Sequence, residues 1–143
     1  MKNYVVWTNC VVLDSNINMG VGEANAADYT RMYEISLASA RQHLTGTWEP
    51  IVWTDPVASR VEMFKHNWQR MWDLWHGEPC NILYLDSDTV IIRPTEIFDQ
   101  FSEYRLFNWT QPPSTAEFEN YFNAGVRYYP ATMSESIWEI GSE

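Results

Sequence analysis

Apolar positions arrive along this chain in short blocks, and the spacing inside each block predicts a different element. Tyr4-Val5-Val6-Trp7-Thr8, β-branched and aromatic throughout, predicts a strand. From about Glu23 to Leu44 helix formers dominate, with Met32, Ile35, Leu37 and Ala38 near a helical period, and Thr45-Gly46-Thr47 stops the run. Ile51-Val52-Trp53-Thr54, bounded by Pro50 and Asp55-Pro56, predicts a second strand. Phe64, Trp68, Met71, Trp72 and Trp75 fall at offsets 0, 4, 7, 8 and 11, one apolar stripe of a helix that Gly77 to Pro79 ends. Ile82-Leu83-Tyr84-Leu85 then predicts a buried strand, followed by a second apolar run, Val90-Ile91-Ile92. Pro94 with Ile97, Phe98 and Phe101 predicts a short helix. Tyr104 to Trp109 and Gly125 to Tyr129 are further strands, and the start of a helix follows them. Asp14 to Gly22 and Gln111 to Thr115 carry the composition of loops.

Strands alternating with helices predict an α/β fold, a mostly parallel sheet with helices on both faces. Ligands of such sheets bind beyond the carboxyl ends of the strands. Asp86 and Asp88 stand at such an end, directly after Leu85.

The chain has 143 residues, the size of one domain, with no repeat or linker to divide it. Its net charge is −10 with only two lysines, so it lacks the basic clusters that nucleic-acid binding requires. An acidic protein can still take a phosphorylated small molecule if a divalent cation stands between the charges. Cys10 and Cys80 are too few and too far apart for a disulfide framework or a zinc site, and predict reduced thiols. No basic segment leads into a long apolar one at the N-terminus, and no apolar run approaches ~20 residues. A cytoplasmic protein without a membrane span is the expectation.

Residues i and i+2 of an extended chain face the same side, so the two carboxylates can converge. Alone they repel, and one would hold its proton. A hard divalent ion, Mg²⁺ or Mn²⁺, removes that conflict and leaves places for phosphate oxygens. The plain alternative is an Asp-rich turn with capping roles.

YLDSDTVIIRP, followed by YFNAGV, resembles the metal-binding aspartate motif and the Asn-Ala-Gly segment of GT-A glycosyltransferases. The likeness is greatest to the glycogenin and galactosyltransferase-like family 8 enzymes. It spans roughly residues 3 to 130 in element order. The resemblance implies a single nucleotide-sugar-binding domain over 1–143, metal ligation by Asp86 and Asp88, and a nucleotide-diphosphate sugar donor. It implies nucleotide contacts from Thr8, Asn9, Asp86 and Ser87, and from Tyr29 as a stacking partner for uracil. Arg70, with Lys65 as fallback, matches a basic residue that reaches the nucleotide or its phosphates. Asn123, Ala124 and Gly125 match the segment lining the donor sugar. A UDP-sugar donor and retention at the anomeric carbon are the family's leaning. Family members run past this segment to a further metal-binding histidine, a place none of His43, His66 and His76 can fill, so a longer chain is expected.

Two other readings remain open. Four apolar residues and D-x-D-x-T also match the first motif of haloacid-dehalogenase-type phosphatases, with Asp86 as nucleophile. That chemistry needs a downstream lysine and acidic pair, and no lysine follows Asp88. The other reading is a domain that binds a nucleotide sugar and transfers nothing. The expectation carried forward is a glycosyltransferase acting on an unknown acceptor.

Overall fold

The computed structural model describes residues 1–10, 26–108 and 122–141. Within them the elements run β1 (Lys2–Thr8), α1 (Ala26–His43), β2 (Glu49–Trp53), α2 (Arg60–Gly77), β3 (Cys80–Leu85), β4 (Arg105–Asn108), β5 (Phe122–Tyr129) and α3 (Ser136–Gly141). The loops expected at Asp14–Gly22 and Gln111–Thr115 lie outside the described residues, as does the first turn expected for α1.

The strands form a five-stranded sheet in the order β2-β1-β3-β5-β4. β1 pairs in parallel with β2 and with β3, whereas β5 runs antiparallel to both β3 and β4. The sheet is therefore α/β and mostly parallel. β3 is buried at every one of its six positions, and β1 through Tyr4 to Trp7. Apart from Asn81 of β3, both runs are apolar throughout, as in strands in the interior of a sheet.

Side-chain alternation splits the core in two. Tyr4 and Val6 of β1 join Ile82 and Tyr84 of β3 in one cluster, with Trp68, Met71 and Trp75 of α2 and Trp138 of α3. Val5 and Trp7 join Leu83 and Leu85 in the other, with Tyr33, Leu37 and Ala40 of α1. Trp7 also donates from its indole to Ser36 Oγ at 2.8 Å, so its one polar atom is satisfied inside the core.

Two expectations are corrected. Residues 94–101 form no helix: Thr95 pairs with Leu44 through an isolated bridge, and Gln100 N–H donates to Ile97 in a turn. Ile97 and Phe98 are still buried, so their apolar spacing records burial against the sheet rather than a helical period. The stripe on α2 is rotated as well, because Phe64 and Trp72 are exposed while Asn67 and Met71 are buried. The helix turns Trp68, Met71 and Trp75 of that stripe inward together with Leu74, so the buried face is rotated by a fraction of one residue. In the apolar run after the aspartates, Val90 and Ile92 are exposed.

The turn after α1 needs its glycine. Gly46 has φ +94, a region that side chains rarely adopt, although a Cβ there would meet only Phe98 at 3.8 Å. At the start of α2, Ser59 Oγ accepts from Glu62 N–H at 3.1 Å while Glu62 Oε2 accepts from Ala58 N–H at 2.6 Å. This reciprocal capping anchors the helix that carries Arg70 and Lys65.

Candidate functional site

The carboxyl ends of β1, β2 and β3 and the amino end of β5 meet at one sheet edge, because β5 alone is reversed. Asp86, Ser87 and Asp88 leave β3 there. Asp86 N–H still donates into the ladder, to Gly125 O at 2.8 Å, but its own carbonyl accepts from Thr89 N–H at 3.0 Å. The motif is thus a turn, not a continuation of the strand. The strand alternation expected to aim both carboxylates the same way does not apply; they occupy the first and third positions of that turn.

Each residue of the turn is held differently. Asp86 is half-buried, and its Oδ1 accepts from the Tyr84 hydroxyl at 3.0 Å. Ser87 is buried and donates to Thr8 O at 2.7 Å, tying the turn to the end of β1. Asp88 is exposed. Burial, and then the neighbouring charge of Asp86, push the Tyr84 phenol up to about 12, so it stays a donor at neutral pH.

Thr8, through Ser87, and Gly125, through Asp86, adjoin the turn, while Asn9, Tyr29, Arg70 and Lys65 lie beside β1 or on α1 and α2. Thr8 closes β1, with its hydroxyl buried beside the Tyr84 phenol. Asn9 extends the β1–β2 ladder by donating to Trp53 O at 2.8 Å, and its side chain donates to Thr30 Oγ1 at 3.3 Å. That bond brings the second turn of α1, and with it half-buried Tyr29, to the end of β1. Arg70 pairs with Asp55 just beyond β2, and its guanidinium lies 5.5 Å from the Trp53 ring centre. Its Nη1 is buried without a partner among the described residues. Lys65 is exposed on the same helix. Asn123, Ala124 and Gly125 lie in the first half of β5, and of these only Gly125 has a described environment, buried beside Asp86.

Three residues enter that were not expected from the sequence: Asp55, Tyr84 and Arg127. Tyr84 carried a signal, since it sits two residues before Asp86. Asp55 and Arg127 are brought in by strand pairing, which no local pattern encodes. Arg127 lies opposite Tyr84 in the β3–β5 register, with its guanidinium 4.2 Å from that ring's centre.

Asp86 and Asp88 offer hard oxygen donors, the class that Mg²⁺ and Mn²⁺ prefer. Among the described residues no group of three or more His, Cys, Asp or Glu side chains gathers as a metal site. Two carboxylates alone could supply only part of such an ion's shell. Cys10 is half-buried and Cys80 buried; both are free thiols, and burial pushes Cys80 up to about 11, which makes it inert. No helix among the described residues is long and apolar enough to cross a membrane. No family model, curated protein or solved structure matches the chain.

Proposed function

We propose that this chain is a metal-dependent glycosyltransferase of the GT-A type that moves a sugar from a nucleotide-diphosphate donor, a UDP-sugar, to an acceptor. One observation carries the reading. The Asp86-Ser87-Asp88 turn is hydrogen-bonded to the Asn-Ala-Gly strand through Asp86 N–H and Gly125 O, at the sheet edge where ligands bind. Two motifs 35 residues apart in sequence are neighbours in space. The two apolar clusters, one holding residues of α1 and the other residues of α2 and α3, support a sheet covered by helices on both faces.

Asp86 and Asp88 would hold Mn²⁺ or Mg²⁺, and the bound ion supplies Lewis-acid neutralisation of charge on the diphosphate leaving group. The protein's own groups do the rest. Arg70 offers a planar guanidinium to phosphate oxygens, with one nitrogen already desolvated and unpartnered among the described residues. Ser87 keeps the turn against β1, which leaves Thr8 and Asn9 beside the nucleotide. Tyr29 supplies an aromatic face for the base. The backbone of Asn123 to Gly125 lets the sugar approach closely, because Gly125 has no side chain in the way.

The test is calorimetric. Mn²⁺-dependent binding of UDP should fall at least roughly tenfold in Asp88→Asn, which keeps shape and loses one anionic ligand, with the melting temperature unchanged. Equal affinities would reduce Asp88 to a turn residue. Release of UDP from a panel of UDP-sugars then separates transfer from binding alone.

A further inference from the structure

Alternation along β3 places Tyr84 two residues behind Asp86, and the chain uses that spacing for a hydrogen bond. Tyr84 is 5% exposed, and its hydroxyl donates to Asp86 Oδ1 at 3.0 Å. Behind the ring lies Arg127, its guanidinium carbon 4.2 Å from the Tyr84 centroid and 6.0 Å from that of Tyr129. The Arg127 Nε is buried with no hydrogen-bond partner among the described residues. A guanidinium withdrawn from water needs compensation, and here the aromatic faces provide it.

The usual account of such a tyrosine is a core side chain whose hydroxyl has found an acceptor. Two facts go beyond it. The acceptor is the first carboxylate of the candidate site, and the cation over the ring draws density from the phenol and strengthens its O–H as a donor. Asp86 is thereby held twice. Its backbone is tied to β5 through Gly125 O at 2.8 Å, and its side chain is tied to a tyrosine that β5 also backs.

We propose that Tyr84, backed by Arg127, is a positioning residue for Asp86. The phenol fixes the carboxylate in the rotamer that meets cation and diphosphate. This rests on the glycosyltransferase reading above. Outer partners that orient a ligating carboxylate typically cost ten- to a hundredfold in metal affinity when removed.

The experiment measures Mn²⁺-dependent UDP affinity in wild type, Tyr84→Phe, Arg127→Met and Arg127→Lys, with melting temperatures alongside. Tyr84→Phe removes only the hydroxyl and should weaken affinity about tenfold while melting with wild type. Arg127→Met should weaken it too, whereas Arg127→Lys, with a stem of similar length and a retained charge, should restore most of it. A merely structural arginine would show Met and Lys alike, and that result overturns the role of Arg127. Should Tyr84→Phe fail to fold, the gap between the two Arg127 variants decides. Wild-type affinity in Tyr84→Phe overturns the positioning role and leaves the glycosyltransferase reading standing. Absence of Mn²⁺–UDP binding in wild type removes both.

Discussion

Arg70 carries a conflict that decides what it can do. One end of its guanidinium pairs with Asp55, which is half-exposed, and the other end is buried without a partner among the described residues. A pair this close to solvent is worth only about 0–1 kcal/mol, so a doubly charged diphosphate can displace Asp55. Lys65 has neither the buried end nor the aromatic platform of Trp53. The two substitutions therefore separate. Arg70→Gln should weaken UDP binding roughly tenfold or more, the scale of losing a hydrogen bond to a charged group, whereas Lys65→Gln should stay within about twofold. Calorimetry on both variants decides between them, and the reverse order would hand the phosphate role to Lys65.

At the scale of elements, α2 and the segment before α3 are joined by His76. Its Nδ1 faces Trp72 O and its Nε2 faces Glu135 Oε1, each at 2.8 Å, with Trp72 stacked on the ring. Two acceptors flank the ring, so only the doubly protonated imidazolium satisfies both. Desolvation against the tryptophans opposes the charge but is outweighed by Glu135, the Trp72 carbonyl and Asp73 together, and His76 is raised above its usual value of 6.5. A raised histidine contributes stability that is fully present below the unfolded pKa and lost as pH climbs through the folded one. Wild type should therefore exceed His76→Gln in melting temperature more at about pH 5.5 than at about pH 8.5. A constant difference across that range would mean that folding leaves the proton affinity of His76 unchanged.

Elements were legible where burial and periodicity agree. β1 and β3 are nearly unbroken apolar runs because they sit in the middle of the sheet, and α2 announces itself through tryptophans. The failures share a cause. Ile97, Phe98 and Phe101 look helical in spacing but are apolar because they cover Tyr128 and the sheet beneath it. The Trp stripe holds at Trp68, Met71 and Trp75 and fails at Phe64 and Trp72, because a large ring can lie half in water, as Trp72 does at 39% exposure. The end of β3 was legible from the two like charges that follow a buried strand, but the turn they form was not, because strand alternation alone suggested that the chain stays extended. Arg127 and Asp55 were not legible either, because their proximity to the turn comes from strand order alone.

The whole molecule is acidic, with a net charge of −10, and UDP is an anion. Asp55, Asp86 and Asp88 all face the edge where the nucleotide is proposed to bind, so the protein's own field opposes a bare diphosphate. Two carboxylates on a turn, for their part, make a weak holder for a divalent ion, with no third His, Cys, Asp or Glu gathered beside them among the described residues. Each ligand should therefore bind poorly alone and well with the other present. Binding free energies are reciprocal, so the factor by which UDP tightens Mn²⁺ must equal the factor by which Mn²⁺ tightens UDP. We expect both to be at least roughly tenfold, toward the upper part of the range of such couplings, because the ion replaces repulsion by attraction at contact distance. Four titrations measure it: Mn²⁺ with and without UDP, and UDP with Mn²⁺ or with EDTA. In Asp88→Asn the coupling should shrink while its two arms remain equal. Wild-type UDP binding of the same strength in EDTA would show that the paired aspartates face no cation, and the glycosyltransferase reading would go with it.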